Sequence, residues 1–538
     1  MTDAAAPAGA AGPPPAAAFA TLDRGTATCA AALVGRVDRR WRLVAAAAVP
    51  AGADPAALVE LLVERARDLD PDLAAEMGLD ARSAAPPRIE ATGSPAPHAA
   101  VLAATDATRR LLEADAAAAG WRTSGASAQR DDALAMLRRA TRPGVAMLLV
   151  GTGDPPSAEE RDLLGEIVAL AAGAAERRPD LPVVLVGAAA GRASDFPLAT
   201  DVVTVPRPHG DPSADLRAIL AARRAGPGDP RQALVVAAAT LAGVLDLRVE
   251  LLEVGMSGAL RVRAEPAGAP GEAARVAARE VPSALLGLAD EAAVDRVEGW
   301  TTLPIDRARL RDRLAELRLA PWAEGGGDGP LLRAAALRAS VERLVEATDA
   351  ELGGPAPDLV VLAGGAWSSI PAPAALLVLA DAVRRPGVVQ VALDAARLLG
   401  PLGTIEDAVE RTAVLRDLVP DALVPLGTLA VARGVRGGRQ AGHLRVVGGD
   451  ATVEVELAGG RLALVDLPPG QAGAATLAFR GTADLGARGR RFAAPATGGL
   501  AGLVVDLRGD PLHLPDRPDE RRGLLGRWEA ALWPEHDR

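Results

Sequence analysis

Residues 19–34, FATLDRGTATCAAALV, set one apolar run against another across a break of charge and glycine. The pattern predicts a strand ending at Asp23, a tight turn at Arg24-Gly25 and a second strand from Thr26. Gly25 supplies the φ freedom that a sharp turn demands. Residues 41–49, WRLVAAAAV, read as a third antiparallel strand. Asp54 then caps a helix with Pro55 in its first turn, and Leu58, Leu61 and Leu62 fall at helical intervals. Three strands followed by a helix open an RNase-H-like fold. Residues 78–97, rich in Pro, Ala and Ser, read as a loop, and 99–119 as a helix. Residues 145–150, VAMLLV, form a buried strand that runs into Gly151-Thr152-Gly153-Asp154. A helix at 159–177 and strands at 181–187 and 201–205 complete a parallel α/β layer.

The pattern restarts near Pro230. A helix at 231–245 feeds a strand at 248–254, Gly255-Met256-Ser257-Gly258 turns the chain, and 259–264 return it. A helix at 331–347 precedes a strand at 358–362, which enters Ala363-Gly364-Gly365; a helix at 374–383 and a strand at 388–393 follow. Two hairpin-first α/β halves indicate an internal duplication. From about Leu444 the segments LRVV, TVEVEL, RLALVDL, AATLAF and GLVVDL alternate apolar and polar residues, the pattern of an antiparallel β module. A helix at 519–533 closes the chain. The implied division is a disordered Pro/Ala tail at 1–17, a first lobe at 18–212, a second lobe at 213–440 and a β-rich module at 441–538.

Composition narrows the chemistry. The chain of 538 residues is long enough for two or three substantial cores. It contains no lysine, which excludes a P-loop lysine, a Schiff-base lysine and a kinase-type ATP lysine. The net charge of -10 argues against nucleic acid as the main partner. Cys29 is the only cysteine and the five histidines are scattered without ligand spacing, so thiolate-rich and histidine-rich metal sites are not expected. No apolar run reaches the roughly 18 residues of a membrane span, and no basic leader opens the chain. A soluble, cytoplasmic protein is expected.

The first hairpin carries the chemistry. Asp23-x-Gly-Thr-x-Thr places one carboxylate and the hydroxyls of Thr26 and Thr28 at the mouth of a β-turn. Turn N–H groups hold phosphate oxygens and a carboxylate holds hydrated Mg2+; the plain alternative is a capped turn. Asp154 reads as a helix cap and Trp300 as packing. No Ser/His/Asp triad can be assembled.

Two half-domains, each opening with such a hairpin, resemble the superfamily of actin, hexokinase and the heat-shock chaperone ATPases. Within it the chain is similar to the glutamate mutase L family. The matching segments are 145–154 (VAMLLVGTGD), 296–299 (RVEG), 358–373 (DLVVLAGGAWSSIPAP) and 389–403 (VQVALDAARLLGPLG). Residues 421–427 (DALVPLG), 467–471 (LPPGQ) and 502–528 (GLVVDLRGDPLHLPDRPDERRGLLGRW) continue the match. It spans nearly the whole chain after the tail, and the order of the motifs carries it rather than any one of them.

The resemblance implies ATP and Mg2+ as cofactors, bound in an interlobe cleft. Asp23, Gly25, Thr26 and Thr28 would face the phosphates from one side, Gly255 and Ser257 from the other, with Gly364 and Gly365 towards the adenosine. Asp23 and Glu253 would stand nearest the metal. The implied role is that of a nucleotide-binding chaperone or reactivation factor whose partner is an adenosylcobalamin-dependent mutase. Three departures stand out: Glu253 where the family has Asp, Met256 where a small residue is usual, and Trp300 where an acidic residue is usual. They keep open a pseudo-ATPase scaffold, and they make any ATP turnover slow. A small-molecule kinase or hydrolase would need a further catalytic base that the sequence does not reveal.

Overall fold

The computed structural model describes residues 17–533 except 81–84, 93–96, 206–215, 224–229, 269–273, 284–290, 321–326 and a few single residues or pairs. Residues 1–16 of the expected tail, Asp154 and Ser257 lie outside the described residues.

Strands β1 (Ala18–Arg24), β2 (Thr28–Val37), β3 (Arg40–Pro50) and β4 (Arg88–Thr92) form a four-stranded sheet in the order β3-β2-β1-β4. The first three are the predicted meander. β4 falls inside the stretch expected to be a loop. It pairs parallel to β1, Asp23 lying opposite Ala91, and so fills a backbone edge that would otherwise be open beside a buried strand. The helix Pro55–Leu69 covers this sheet: Asp54 accepts from the Ala56 N–H at 2.9 Å, and Leu58 and Leu62 are buried. Leu61, expected on the same face, is exposed.

Strands β5 (His98–Ala103), β6 (Arg122–Ser127), β7 (Val145–Gly151), β8 (Val183–Val186) and β9 (Val202–Val205) form a separate five-stranded sheet in the order β6-β5-β7-β8-β9. All its pairings are parallel. The single helix expected at 99–119 is instead β5 followed by the helix Asp106–Ala118. HAAVLA is an unbroken apolar run, which suits a strand buried on both faces as well as a helix; its place between β6 and β7 decides the matter.

The second half builds an eight-stranded sheet. β10 (Val249–Val254), β11 (Gly258–Glu265), β12 (Arg275–Pro282), β13 (Leu359–Ala363) and β14 (Gly387–Asp394) stand in the order β12-β11-β10-β13-β14. This is the order of the first sheet with a fifth strand added. β15 (Leu423–Val431) pairs antiparallel to β14 and extends it.

In the C-terminal stretch, β16 (Gly438–Gly448), β17 (Ala451–Gly459), β19 (Ala472–Asp484) and β20 (Arg488–Thr497) make the expected antiparallel sheet, ordered β17-β16-β19-β20. Two segments predicted for that module join the second lobe instead: β18 (Leu462–Val465) and β21 (Leu503–Asp506). β21 is buried at every position and runs parallel to β15, which a sheet with one wet face does not provide.

Three helices, Pro230–Leu245, Leu399–Gly403 and Ala408–Ala422, pack between the first sheet and the second lobe's sheet. Phe19, Val34 and Trp41 share one core with Leu241, Leu402 and Leu418 and with Leu251 and Val262. At the rim, Arg42 grips Asp421 at 2.7 Å, and Asp417 accepts from the Trp41 N–H at 3.1 Å. The fold is α/β: two RNase-H-like lobes of the actin-like kind flank a cleft, and a β-rich C-terminal region follows.

Candidate functional site

The two hairpins are built alike. The Gly25 N–H donates to the Thr28 carbonyl and the Gly255 N–H to the Gly258 carbonyl, both at 2.9 Å. Asp23 faces Ala30 across its hairpin, and Glu253 faces Leu260 across the other. One spacing along the chain therefore relates the whole of both turns. Asp23 and Glu253 take the same place at the end of each first strand.

Beyond β13 the chain turns at Gly364 with φ +91°, in the left-handed region that favours glycine. A Cβ there would lie 2.6 Å from the Val254 carbonyl oxygen and 2.9 Å from Glu253 Oε1. Gly364 is therefore pressed against the end of the second hairpin, and Ala366 donates its N–H to the same Val254 carbonyl at 3.2 Å.

Two residues that carried no role in the sequence reading complete the cluster. Asp394 ends β14, is buried, and accepts from the Leu398 and Leu399 N–H groups at 2.9 and 3.1 Å. The turn it pins presents Arg397, whose Nη1 donates to Thr28 Oγ1 at 2.6 Å across the cleft. Both residues lie in the segment DAAR, a charged tetrad at a strand end; only the fold brings it to Thr28.

Above this floor opens a cavity of about 200 Å³. Ala27, Thr28 and Arg397 line one side, Gly365, Ala366, Ser368 and Ser369 another, with Met256, Leu317 and Arg333 completing the wall. Of the predicted residues, Thr28 and Gly365 thus face the cavity. Asp23, Glu253, Gly255 and Gly364 do not line it, Gly25 shapes the turn, and Thr26 is exposed outside it.

Burial sets the electrostatics. It pushes the Asp23 carboxyl up to about 6, Arg397 drawing it back. Asp394 is pushed up to about 7, chiefly by burial, with its two backbone donors opposing and Asp23 adding. Glu253 goes up to about 8 for the same first reason, opposed by Arg231 and Arg397 and reinforced by Glu280 and Asp23. Glu253 Oε2 is sealed from solvent with no hydrogen-bond partner. The acid of the second hairpin therefore ionises less readily than that of the first. Among the described residues no three acidic, histidine or cysteine side chains gather closely enough to cage a metal by themselves.

Duplicated hairpins meeting under one cavity between RNase-H-like lobes define an actin-like ATPase fold with a candidate nucleotide cleft. No family model and no curated protein matches the chain. Among solved structures it is similar to component A of (R)-2-hydroxyglutaryl-CoA dehydratase from Acidaminococcus fermentans, at 8% identity over 73% of this chain and 98% of that one, with a TM-score of 0.27. The activator of 2-hydroxyisocaproyl-CoA dehydratase from Clostridium difficile, solved with ADPNP, matches at 10% identity over 73% and 95%, TM-score 0.27. Nucleotide-free acetone carboxylase matches at 10% over 81% and 80%, TM-score 0.29. At these scores the likeness decides nothing about ligand or partner, and the fold is defined by the strand order itself. Among the described residues no helix is long and apolar enough to cross a membrane.

Proposed function

We propose that this protein is a nucleotide-binding accessory factor whose lobes close on Mg-ATP, and that it serves an adenosylcobalamin-dependent mutase as a reactivation chaperone in the manner of the glutamate mutase L family. The observation that carries the nucleotide reading is the pair of matched hairpins, closed by the Gly25–Thr28 and Gly255–Gly258 hydrogen bonds, with Gly364 pressed against the second and both turns lining a single cavity. The mutase link rests on the motif order alone. Mg2+ keeps most of its waters and takes one or two carboxylates together with substrate phosphates. Asp23, which makes no ion pair among the described residues, and Glu253, with an unpartnered buried oxygen, suit that requirement. When bound, the ion would neutralise phosphate charge. Closure on the nucleotide would then shift the population between open and closed lobes and change the surface offered to a partner.

Calorimetric titration with ATP, with and without Mg2+, tests the first part: Mg-dependent binding is expected, and its absence sinks it. Adding the protein and ATP to a mutase inactivated by turnover tests the second: recovery of activity is expected, and none sinks it.

One observation favours a second reading, an eroded pseudo-ATPase scaffold. Burial pushes the Glu253 carboxyl up to about 8, so the second hairpin yields its charge less readily than the first, where Asp23 is pushed only to about 6. A scaffold of this kind would hold its partner equally well with and without nucleotide.

A further inference from the structure

The chain has no lysine, so a polyphosphate in the cleft has to be met by another cation. Arg397 stands at the right place. It lines the cavity and, among the described residues, makes no ion pair; its hydrogen bond there goes to the neutral hydroxyl of Thr28. A guanidinium carries five donors, so most remain available to a ligand.

Its position is built rather than incidental. Arg397 has φ +53°, a left-handed conformation that a residue with a Cβ seldom adopts. The turn that imposes it is fastened at both ends: the Arg397 N–H donates to the Asp394 carbonyl at 3.3 Å, and the Asp394 carboxylate takes the next two N–H groups. A Cβ on Gly365 would lie 2.6 Å from Arg397 Nη2. Gly365 thereby makes room for the guanidinium, a more specific duty than close approach to a nucleotide ring. The side chain starts on the second lobe, after β14, and ends on the first hairpin.

We propose that Arg397 is the phosphate receptor of this cleft, parked on Thr28 until the terminal phosphate of a nucleoside triphosphate takes its guanidinium, so that nucleotide occupancy is read at a contact between the two lobes. The proposal rests on the nucleotide reading above. A planar fork binds two phosphate oxygens at once, which a hydroxyl cannot match, so the anion displaces Thr28. The contact between lobes is then replaced by one that passes through the ligand.

The test is calorimetric titration of the full chain with Mg-ATP and, separately, with inorganic tripolyphosphate, in wild type, Arg397→Gln and Arg397→Lys. Thermal melts establish that each variant is folded. Arg397→Gln is expected to weaken both ligands about ten- to a hundredfold, with Arg397→Lys in between because an ammonium binds one point rather than two. If wild type binds Mg-ATP and folded Arg397→Gln binds it equally well, the receptor assignment is wrong while the nucleotide reading stands. If wild type binds tripolyphosphate but gains nothing from the nucleoside, and Arg397→Gln still loses it, Arg397 keeps its role and the nucleotide reading fails. A wild type that binds neither ligand overturns both.

Discussion

Gly25 and Gly255 close their turns with the same hydrogen bond, each N–H donating at 2.9 Å to the carbonyl three residues on. The two turns share their backbone geometry and differ in their acid. One turn follows an aspartate that burial raises to about 6; the other follows a glutamate that burial raises to about 8. Function in this cleft is therefore expected to lean on Asp23.

Asp23→Ala and Asp23→Asn are both expected to weaken Mg-dependent ATP binding, by about ten- to a hundredfold for the loss of one charge-assisted contact. The asparagine keeps the shape without the charge and should not rescue. An asparagine variant that binds as wild type would show Asp23 to be a turn cap, since an amide oxygen accepts the same backbone hydrogen bonds.

Asp394 should leave a mark on the pH dependence of stability. Burial raises its carboxyl from 3.8 to about 7 in the fold. Between roughly pH 4 and 7 the native state keeps a proton that the unfolded chain has released, so stability falls as pH rises through that window and levels off above it. Asp394→Asn removes the titration while leaving an acceptor for Leu398 or Leu399. Calorimetric melting at about pH 5, 6 and 7 should show a shallower fall in Tm for the variant than for wild type. Parallel curves would mean the carboxyl is ionised throughout.

The hairpins were legible in the sequence because charge and glycine interrupt apolar runs at Asp23–Gly25 and again at Glu253–Gly255. Gly364 was legible for a similar reason, a glycine pair directly after a strand. The split of 99–119 into β5 and a helix was not, because an alanine-rich run fits both periods until neighbouring strands claim it. Neither was the departure of β18 and β21 from the C-terminal module, since alternation does not say which sheet a strand will join. Arg397 was hidden most completely. Its role depends on meeting Thr28, a residue hundreds of positions away, and on a glycine elsewhere that leaves space for it.

Gly364→Ala is expected to disable the cleft. The substitution puts a Cβ at φ +91° and 2.6 Å from the Val254 carbonyl oxygen, so backbone has to move on one side or the other. A cost on the order of 1–3 kcal/mol follows from such strain. Chemical denaturation would read the stability loss and calorimetry the loss of nucleotide binding. A variant as stable as wild type would mean the turn relaxes freely.

Turnover, where present, should be slow. Phosphoryl transfer depends on positioned charge and metal, and here burial raises one of the two hairpin acids to about 8 and no lysine is available. A phosphate-release assay is expected to give less than about 1 per second, below the kinase range. Rates inside that range would show that Glu253 serves as well as an aspartate.

The last prediction concerns what fastens the C-terminal helix Pro518–Leu532 to the second lobe. Arg338, wholly buried in the long helix Gly329–Leu352, donates to Asp381 at 2.7 Å and to Glu529 at 2.8 Å. Arg508 donates to the other oxygen of Asp381 at 2.7 Å and to both oxygens of Asp506 at 2.9 Å, and stacks 4.4 Å over the Trp528 ring. Arg384 also donates to Asp506, at 2.8 Å and to an oxygen it shares with Arg508. Charges alternate along this chain, so each carboxylate is matched. Buried pairs of this kind contribute little net stability relative to an apolar replacement, because desolvation offsets attraction, yet removing one partner strands the rest. Arg338→Leu leaves Asp381 with one arginine and Glu529 facing a hydrocarbon, and should cost about 3–5 kcal/mol. The double variant Arg338→Leu with Glu529→Leu should recover part of that loss. Urea denaturation of the four proteins in the cycle measures the coupling. Additive losses would mean that the two residues act independently, and that the helix is held by Leu525, Trp528 and Leu532 alone.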